Sequence, residues 1–227
     1  MPDTMRIADF DARRTTIEVD DERIALWQVA DLAPHVDRTA LLAGDDPPEP
    51  PYWAHLWSGA VVLAAAVPSV TRALELGCGL GLVGMVAARR GARVTFLDRI
   101  PTALAFVRAS ARANGLRDVD LVAADATRPP LTATFDLVLA AELLYDRASF
   151  APLARTLACV SAQTGRVLLT DAGRTDTSGF YAALAAAGFC WRAREHVVRE
   201  ERLPVRVRLV EAVRPGTPFL VVAPDDD

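Results

Sequence analysis

Three short runs hold the residue types that could do chemistry. The first is Leu74-Glu75-Leu76-Gly77-Cys78-Gly79-Leu80-Gly81-Leu82-Val83-Gly84. There an apolar strand-like segment enters a glycine-rich turn and leaves it as a helix. Glycines let backbone approach a ligand closely, and the start of a helix offers free N–H groups. The second is the run Arg93–Asp98, whose final acid lies nineteen positions after Gly79. At the end of the neighbouring strand of a doubly wound sheet, such a carboxylate faces the same crevice and can bind ribose hydroxyls. The third is Phe135–Asp146, an apolar run that ends in Glu142 with Tyr145 three residues on. A carboxylate over that crevice gains little from desolvation unless it meets a partner. A helix-capping or surface acid is the plainer alternative for Glu142.

The glycine turn admits two ligand readings. Gly79-x-Gly81-x-x-Gly84 matches the dinucleotide fingerprint, and the distance to Asp98 suits NAD. The acid two positions before the first glycine, in Glu75-x-Gly77-x-Gly79, suits S-adenosylmethionine instead. That ligand has no pyrophosphate. The turn then accommodates its methionine portion, and Glu75 helps organise that end. An ordinary strand-helix turn with no ligand is the third possibility.

The elements that must position these residues follow from periodicity and punctuation. Strands are expected at Arg72–Leu76, Arg93–Leu97, Val119–Ala123, Phe135–Ala140 and Arg166–Leu169. Helices are expected at Ser58–Val67, Leu80–Arg90, Pro101–Asn114, Ala148–Val160 and Thr177–Ala187, several closed by proline or glycine. This alternation predicts a doubly wound, mostly parallel sheet with helices on both faces. Two strand-like runs within Phe189–Ala212 have no helix between them and predict an antiparallel hairpin at one edge. Residues 1–50 are expected to be an N-terminal elaboration, with a strand at Thr15–Val19 and a stiff linker at Asp45–Pro51. A tail is expected over 216–227, with Asp225–Asp227 disordered.

Composition narrows the class. The chain has 227 residues, 52% hydrophobic, and a net charge of −4, which excludes a strongly basic polyanion binder. Residues 1–10 have no apolar core of a signal peptide, and no apolar run reaches the ~20 residues of a membrane span. Cys78, Cys159 and Cys190 form no Cys-x-x-Cys pair and suggest reduced thiols in a cytoplasm. His35, His55 and His196 form no ligand-spaced cluster, so no metal site is expected. All 25 basic residues are arginine. The absence of lysine also removes the Tyr-x-x-x-Lys chemistry of many NAD-dependent oxidoreductases.

Taken together, these motifs resemble the class I, seven-β-strand, S-adenosylmethionine-dependent methyltransferases over roughly residues 50–212. Within them the chain is similar to the protein lysine methyltransferases with an acidic-x-x-aromatic motif after strand four, here Glu142-Leu143-Leu144-Tyr145. The segment Pro51-Tyr52-Trp53-Ala54-His55-Leu56-Trp57-Ser58-Gly59-Ala60 is similar to the aromatic segment that precedes the glycine strand in that group. Leu168–Arg174 resembles the segment after strand five in bacterial enzymes that methylate the electron-transfer flavoprotein β subunit. Ala172 stands where their proline is usual.

The resemblance implies a seven-stranded sheet and a role for each matching residue. Gly77, Cys78 and Gly79 would form the cofactor turn, and Asp98 would bind the ribose. Asp125 would lie near the adenine amine, with Ala126 beside the ring. Ala141 would bring backbone close to the cofactor, and Trp57 would pack over it. The tryptophan common after the third strand of relatives is missing from Ala124-Asp125-Ala126-Thr127. Glu142 and Tyr145 would face the acceptor, a protein lysine, with the electron-transfer flavoprotein β subunit as one candidate protein. Glu142 would chiefly orient the amine.

Rival readings remain at this level. A nucleic-acid methyltransferase would place an Asp/Asn-Pro-Pro-aromatic motif after strand four. Glu49-Pro50-Pro51-Tyr52 has the wrong first residue and the wrong position. Seven arginines from Arg192 to Arg214 are interleaved with glutamates and read as a solvated hairpin face. A small-molecule N-methyltransferase and a non-catalytic cofactor-binding module both stay open.

Overall fold

A computed structural model describes residues 3–36, 50–200 and 203–220. Most of the Asp45–Pro51 linker and all of Asp225–Asp227 lie outside the described residues. The main sheet contains β4 (Arg72–Leu76), β5 (Arg93–Asp98), β6 (Val119–Ala123), β7 (Phe135–Ala141), β8 (Ser161–Asp171), β9 (Cys190–Glu200) and β10 (Leu203–Val213). Its order is β6-β5-β4-β7-β8-β10-β9. Strands β4 to β8 pair in parallel, and β10 runs antiparallel to both β8 and β9. The edge hairpin therefore forms as its missing helix predicts. From β4 the chain winds outward to β6, then returns with β7 on the other side of β4. That reversal opens a crevice beyond the carboxyl ends of β4 and β7.

Helices α1 (Ser58–Ala65), α2 (Leu82–Arg89) and α3 (Pro101–Ala113) cover one face. Helices α4 (Phe150–Val160) and α5 (Ser178–Ala186) cover the other. Strand parity decides which side chain meets which layer. Leu74 and Leu76 pack towards α4 and α5, whereas Ala73 packs towards α2. Glu75 shares the parity of Ala73, so its carboxyl is buried against the start of α2.

The N-terminal elaboration holds more structure than one strand. β1 (Thr4–Ile7), β2 (Phe10–Val19) and β3 (Glu22–Val29) form a separate antiparallel sheet. Its two hairpins turn through Ala8 and Asp20, both at φ 50. The free edge of β3 is closed by α3. Ser110 Oγ accepts from Trp27 N–H at 2.9 Å, and Asn114 Oδ1 accepts from Ala25 N–H at 2.9 Å. Four helical residues rise ~6 Å and two strand residues ~6.7 Å, so that spacing fits an edge. Ile24, Leu26 and Trp27 then join Phe106 and Val107 in one core. The expected tail also starts anchored. Leu220 N–H donates to buried Glu211 at 2.7 Å, and its carbonyl accepts from Arg192.

Gly84, in the first turn of α2, lies against β4 and β5. A Cβ there would meet the Phe96 ring and come within 2.6 Å of Glu75 Oε2. Gly84→Ala is expected to destabilise the fold by about 1–3 kcal/mol. Thermal unfolding measures this, and an unshifted midpoint would contradict the packing.

Candidate cofactor and acceptor site

The turn after β4 is left-handed at Gly77 (φ 58) and Gly79 (φ 49), where an L side chain is strained. Added side chains would also collide. A Cβ at Gly77 would strike Leu143, and one at Gly79 would come within 2.9 Å of the Trp53 carbonyl. Two carboxyl groups hold this turn. Glu75 Oε2 accepts from Gly84 N–H at 2.9 Å, and Val83 N–H also bonds the group. Asp98 Oδ2 accepts from Gly79 N–H at 2.8 Å while Oδ1 accepts from Ile100 N–H at 2.9 Å. Asp98 thus ties the glycine turn to the end of β5. Burial pushes its carboxyl up, and the N–H donors pull it back. Cys78 is buried in the turn, and burial with Glu75 and Asp98 nearby pushes its thiol well above the ordinary value. It is a packing group, not a thiolate nucleophile.

Burial pushes the Glu75 carboxyl up to about 8. The folded protein then holds this proton more tightly than the unfolded chain, where the value is 4.5. The contribution to stability is full below 4.5 and is lost as pH rises through about 8. Glu75→Gln cannot ionise, so its melting temperature should gain on the wild type across that window. A constant difference from acid to alkaline pH would argue against a buried, neutral Glu75.

At the end of β6, Asp125 Oδ1 accepts from the Thr127 N–H at 2.7 Å and the Thr127 hydroxyl at 2.8 Å. Those bonds hold its carboxyl below the ordinary value. Asp125 and Ala126 line the same cavity as the glycine turn. So do Trp57, Glu75, Gly77, Cys78, Gly79, Asp98, Ala141, Glu142 and Tyr145. Every residue assigned a cofactor or acceptor role from the sequence therefore borders one cavity of about 1110 Å³. Trp53 also borders it, but its ring packs on Phe10 and Phe106 at 5.5 and 5.3 Å and so joins the N-terminal sheet to α3.

Glu142 occupies the tip of β7 with φ 56, outside the usual range for a non-glycine residue. Its N–H donates to the Thr170 carbonyl at 3.1 Å. The side chain is only 9% exposed. Oε2 accepts from Arg174 at 2.5 Å and from Ala172 N–H at 3.3 Å, while Oε1 is buried with no hydrogen-bond partner. Burial pushes the Glu142 carboxyl up, and Arg174 lowers it. Gly59 permits this burial, because a Cβ there would overlap Oε1. Tyr145 lies further out on the rim and is 57% exposed.

Sequence reasoning gave Arg174, Glu200, Ser58 and His55 no role beside Glu142. Arg174 stacks on Trp57, with Cζ 4.5 Å from the ring centre. Glu200, at the end of β9, accepts from the Ser58 hydroxyl at 2.8 Å and lies 3.4 Å from His55 Nε2. These residues come from distant parts of the chain, and no local spacing shows that they meet. Among the described residues, no metal-ligating cluster occurs and no helix is long and apolar enough to cross a membrane.

Residues 73–165 match the family model described as a methyltransferase domain. The chain is 34% identical over 129 residues to protein N-lysine methyltransferase METTL21A of Xenopus tropicalis, covering 52% of this chain and 60% of that protein. It is also 34% identical over 116 residues to a ubiquinone biosynthesis O-methyltransferase of Methylocella silvestris, covering 51% and 45%. The chain thus spans less than two thirds of the length of these curated relatives. Among solved structures, it is similar to N-methyltransferase NodS of Bradyrhizobium japonicum WM9 in complex with S-adenosyl-L-homocysteine. That likeness has a TM-score of 0.57 at 19% identity and covers 79% of this chain and 100% of NodS. The main sheet has the class I, Rossmann-like methyltransferase fold.

Proposed function

We propose that this chain, which carries a methyltransferase domain on the class I fold, is an S-adenosylmethionine-dependent methyltransferase acting on a protein lysine. The observation that carries the reading is the joining of the glycine turn, Asp98 and the Glu142 carboxyl in one cavity. The turn suits S-adenosylmethionine better than a dinucleotide. A pyrophosphate would need the N–H groups at the start of α2. Here Glu75 already accepts from Gly84 and Val83 in that place. Gly77 and Gly79 present backbone to the cavity, Asp98 offers an oriented carboxyl for ribose, and Asp125 a carboxylate for the adenine amine. Ala126 and Ala141 leave room along the walls, and Trp57 closes the cavity from the side of α1.

When bound, S-adenosylmethionine supplies an electrophilic methyl group on its sulfonium. The work of this chain is to bring a neutral amine in line with that methyl and exclude water, so positioning carries much of the acceleration. Free lysine has a pKa of ~10.4 and must first lose a proton. Glu142 attracts the ammonium but also raises its pKa. Its role is therefore to orient the amine, with the proton passing to water. Tyr145 offers a ring for the aliphatic stem and a hydroxyl for the amine.

The match to a relative named as a protein N-lysine methyltransferase supports the acceptor class. The resemblance of Leu168–Arg174 keeps the electron-transfer flavoprotein β subunit as one candidate. Residues 51–215 would form the methyltransferase unit, with 1–50 as elaboration and 216–227 as tail. The free thiols of Cys78, Cys159 and Cys190 favour a cytoplasmic site of action. A thermal shift tests the cofactor. S-adenosylhomocysteine at a hundred times its dissociation constant should stabilise the protein by about 2.7 kcal/mol, and NAD should not. Stabilisation by NAD alone would overturn the assignment. Transfer of labelled methyl to small amines, with none to protein, would leave a small-molecule N-methyltransferase.

A further inference from the structure

Arg174 stands where a positively charged acceptor would be drawn. Its guanidinium is 2.5 Å from Glu142 Oε2, 3.6 Å from Glu200 Oε2 and stacked on Trp57. Glu200 reaches this point from the edge hairpin and is held there by Ser58 and His55. Two carboxyl groups and an aromatic face thus converge on one cation, with Asp171 also acting on Glu142. Such a group of acids around a tryptophan face binds ammonium and guanidinium groups. The constellation is incompletely satisfied, since Glu142 Oε1 is buried without a partner. Arg174 itself is 41% exposed and follows Gly173 (φ 67), around which a Cβ would meet nothing. It has room to leave.

We propose that Glu142, Glu200 and Trp57 form a seat that selects a cationic acceptor side chain, and that Arg174 holds this seat until the acceptor displaces it. Glu200 is then a specificity residue and Arg174 an internal competitor. The proposal rests on the lysine-directed reading above and adds to it the source of the charge preference. An internal occupant lowers apparent affinity by the fraction of time that the seat is open. For an occupant that fills a seat about nine-tenths of the time, that factor is about tenfold.

The test uses the full chain and n-butylammonium as a lysine side-chain probe, with n-butanol as the uncharged control, followed by NMR titration. Arg174→Gln is expected to bind n-butylammonium about tenfold more tightly than the wild type, with no gain for n-butanol. Adding Glu200→Gln should reverse most of that gain. Equal or weaker binding by Arg174→Gln, or an equal gain for n-butanol, would overturn the proposal. If Arg174→Gln does not fold, the wild type decides. The Arg174 Nε–H signal should move and exchange faster as n-butylammonium saturates, and an unchanged signal at saturation, or no saturable binding, refutes displacement. No methyl donor is needed here, so the two readings fail separately. A tenfold gain without methyl transfer sinks only the enzyme reading, and methyl transfer without the gain sinks only the seat.

Discussion

Glu142→Ala is expected to lower methyl transfer at least about a hundredfold while changing S-adenosylhomocysteine affinity by less than about threefold, as loss of positioning would. The separation follows from where Glu142 sits. Its carboxyl meets Arg174 and Ala172 N–H on the side of the cavity proposed for the acceptor, whereas the glycine turn is held by Glu75 and Asp98. Removing it also removes a buried oxygen with no partner, and Arg174 keeps Glu200 as a second anion. The fold should therefore persist, as melting curves would show. Glu142→Gln keeps the shape and loses the charge, and it should fall between wild type and alanine. Near-normal turnover by the alanine variant would refute the assignment.

Asp98→Ala should act on the other half of the site. Its two oxygens hold the N–H groups of Gly79 and Ile100, and the ribose role gives them a further partner. Losing hydrogen bonds to a charged acceptor costs about 1.5–3 kcal/mol, or roughly ten- to a hundredfold in affinity. Calorimetry with S-adenosylhomocysteine reads this directly. Asp98→Asn retains one acceptor oxygen and should lose less. Unchanged affinity in the alanine variant would remove Asp98 from the cofactor site.

The parts of the site that were legible in the sequence are those set by short-range punctuation. β4 and β6 have the boundaries that their flanking residues predict, and β5 ends on Asp98. In a parallel sheet the carboxyl ends of the strands share one edge, so Gly77, Asp98, Asp125 and Glu142 had to converge. The unread parts depend on long-range pairing. β1 is short and mostly exposed, and β3 mixes polar and apolar residues without a clean period. Its edge is satisfied by Ser110 and Asn114, which are more than eighty residues away. Glu200 reaches Ser58 across 142 positions because β10 pairs with both β8 and β9. The arginine-rich hairpin is also only partly the solvated face that its charge pattern suggests. Arg206 and Glu195 form an exposed pair, but Arg166 and Arg192 converge on buried Glu211.

The absence of lysine sharpens the central test, because this chain cannot methylate itself at a lysine side chain. The most direct measurement is incubation of the chain with methyl-labelled S-adenosylmethionine and a cell extract, followed by peptide mass spectrometry. Label on the ε-nitrogen of a lysine in an extract protein, lost with Glu142→Ala, is the predicted result. Label confined to small molecules or RNA, with none in protein, would contradict it.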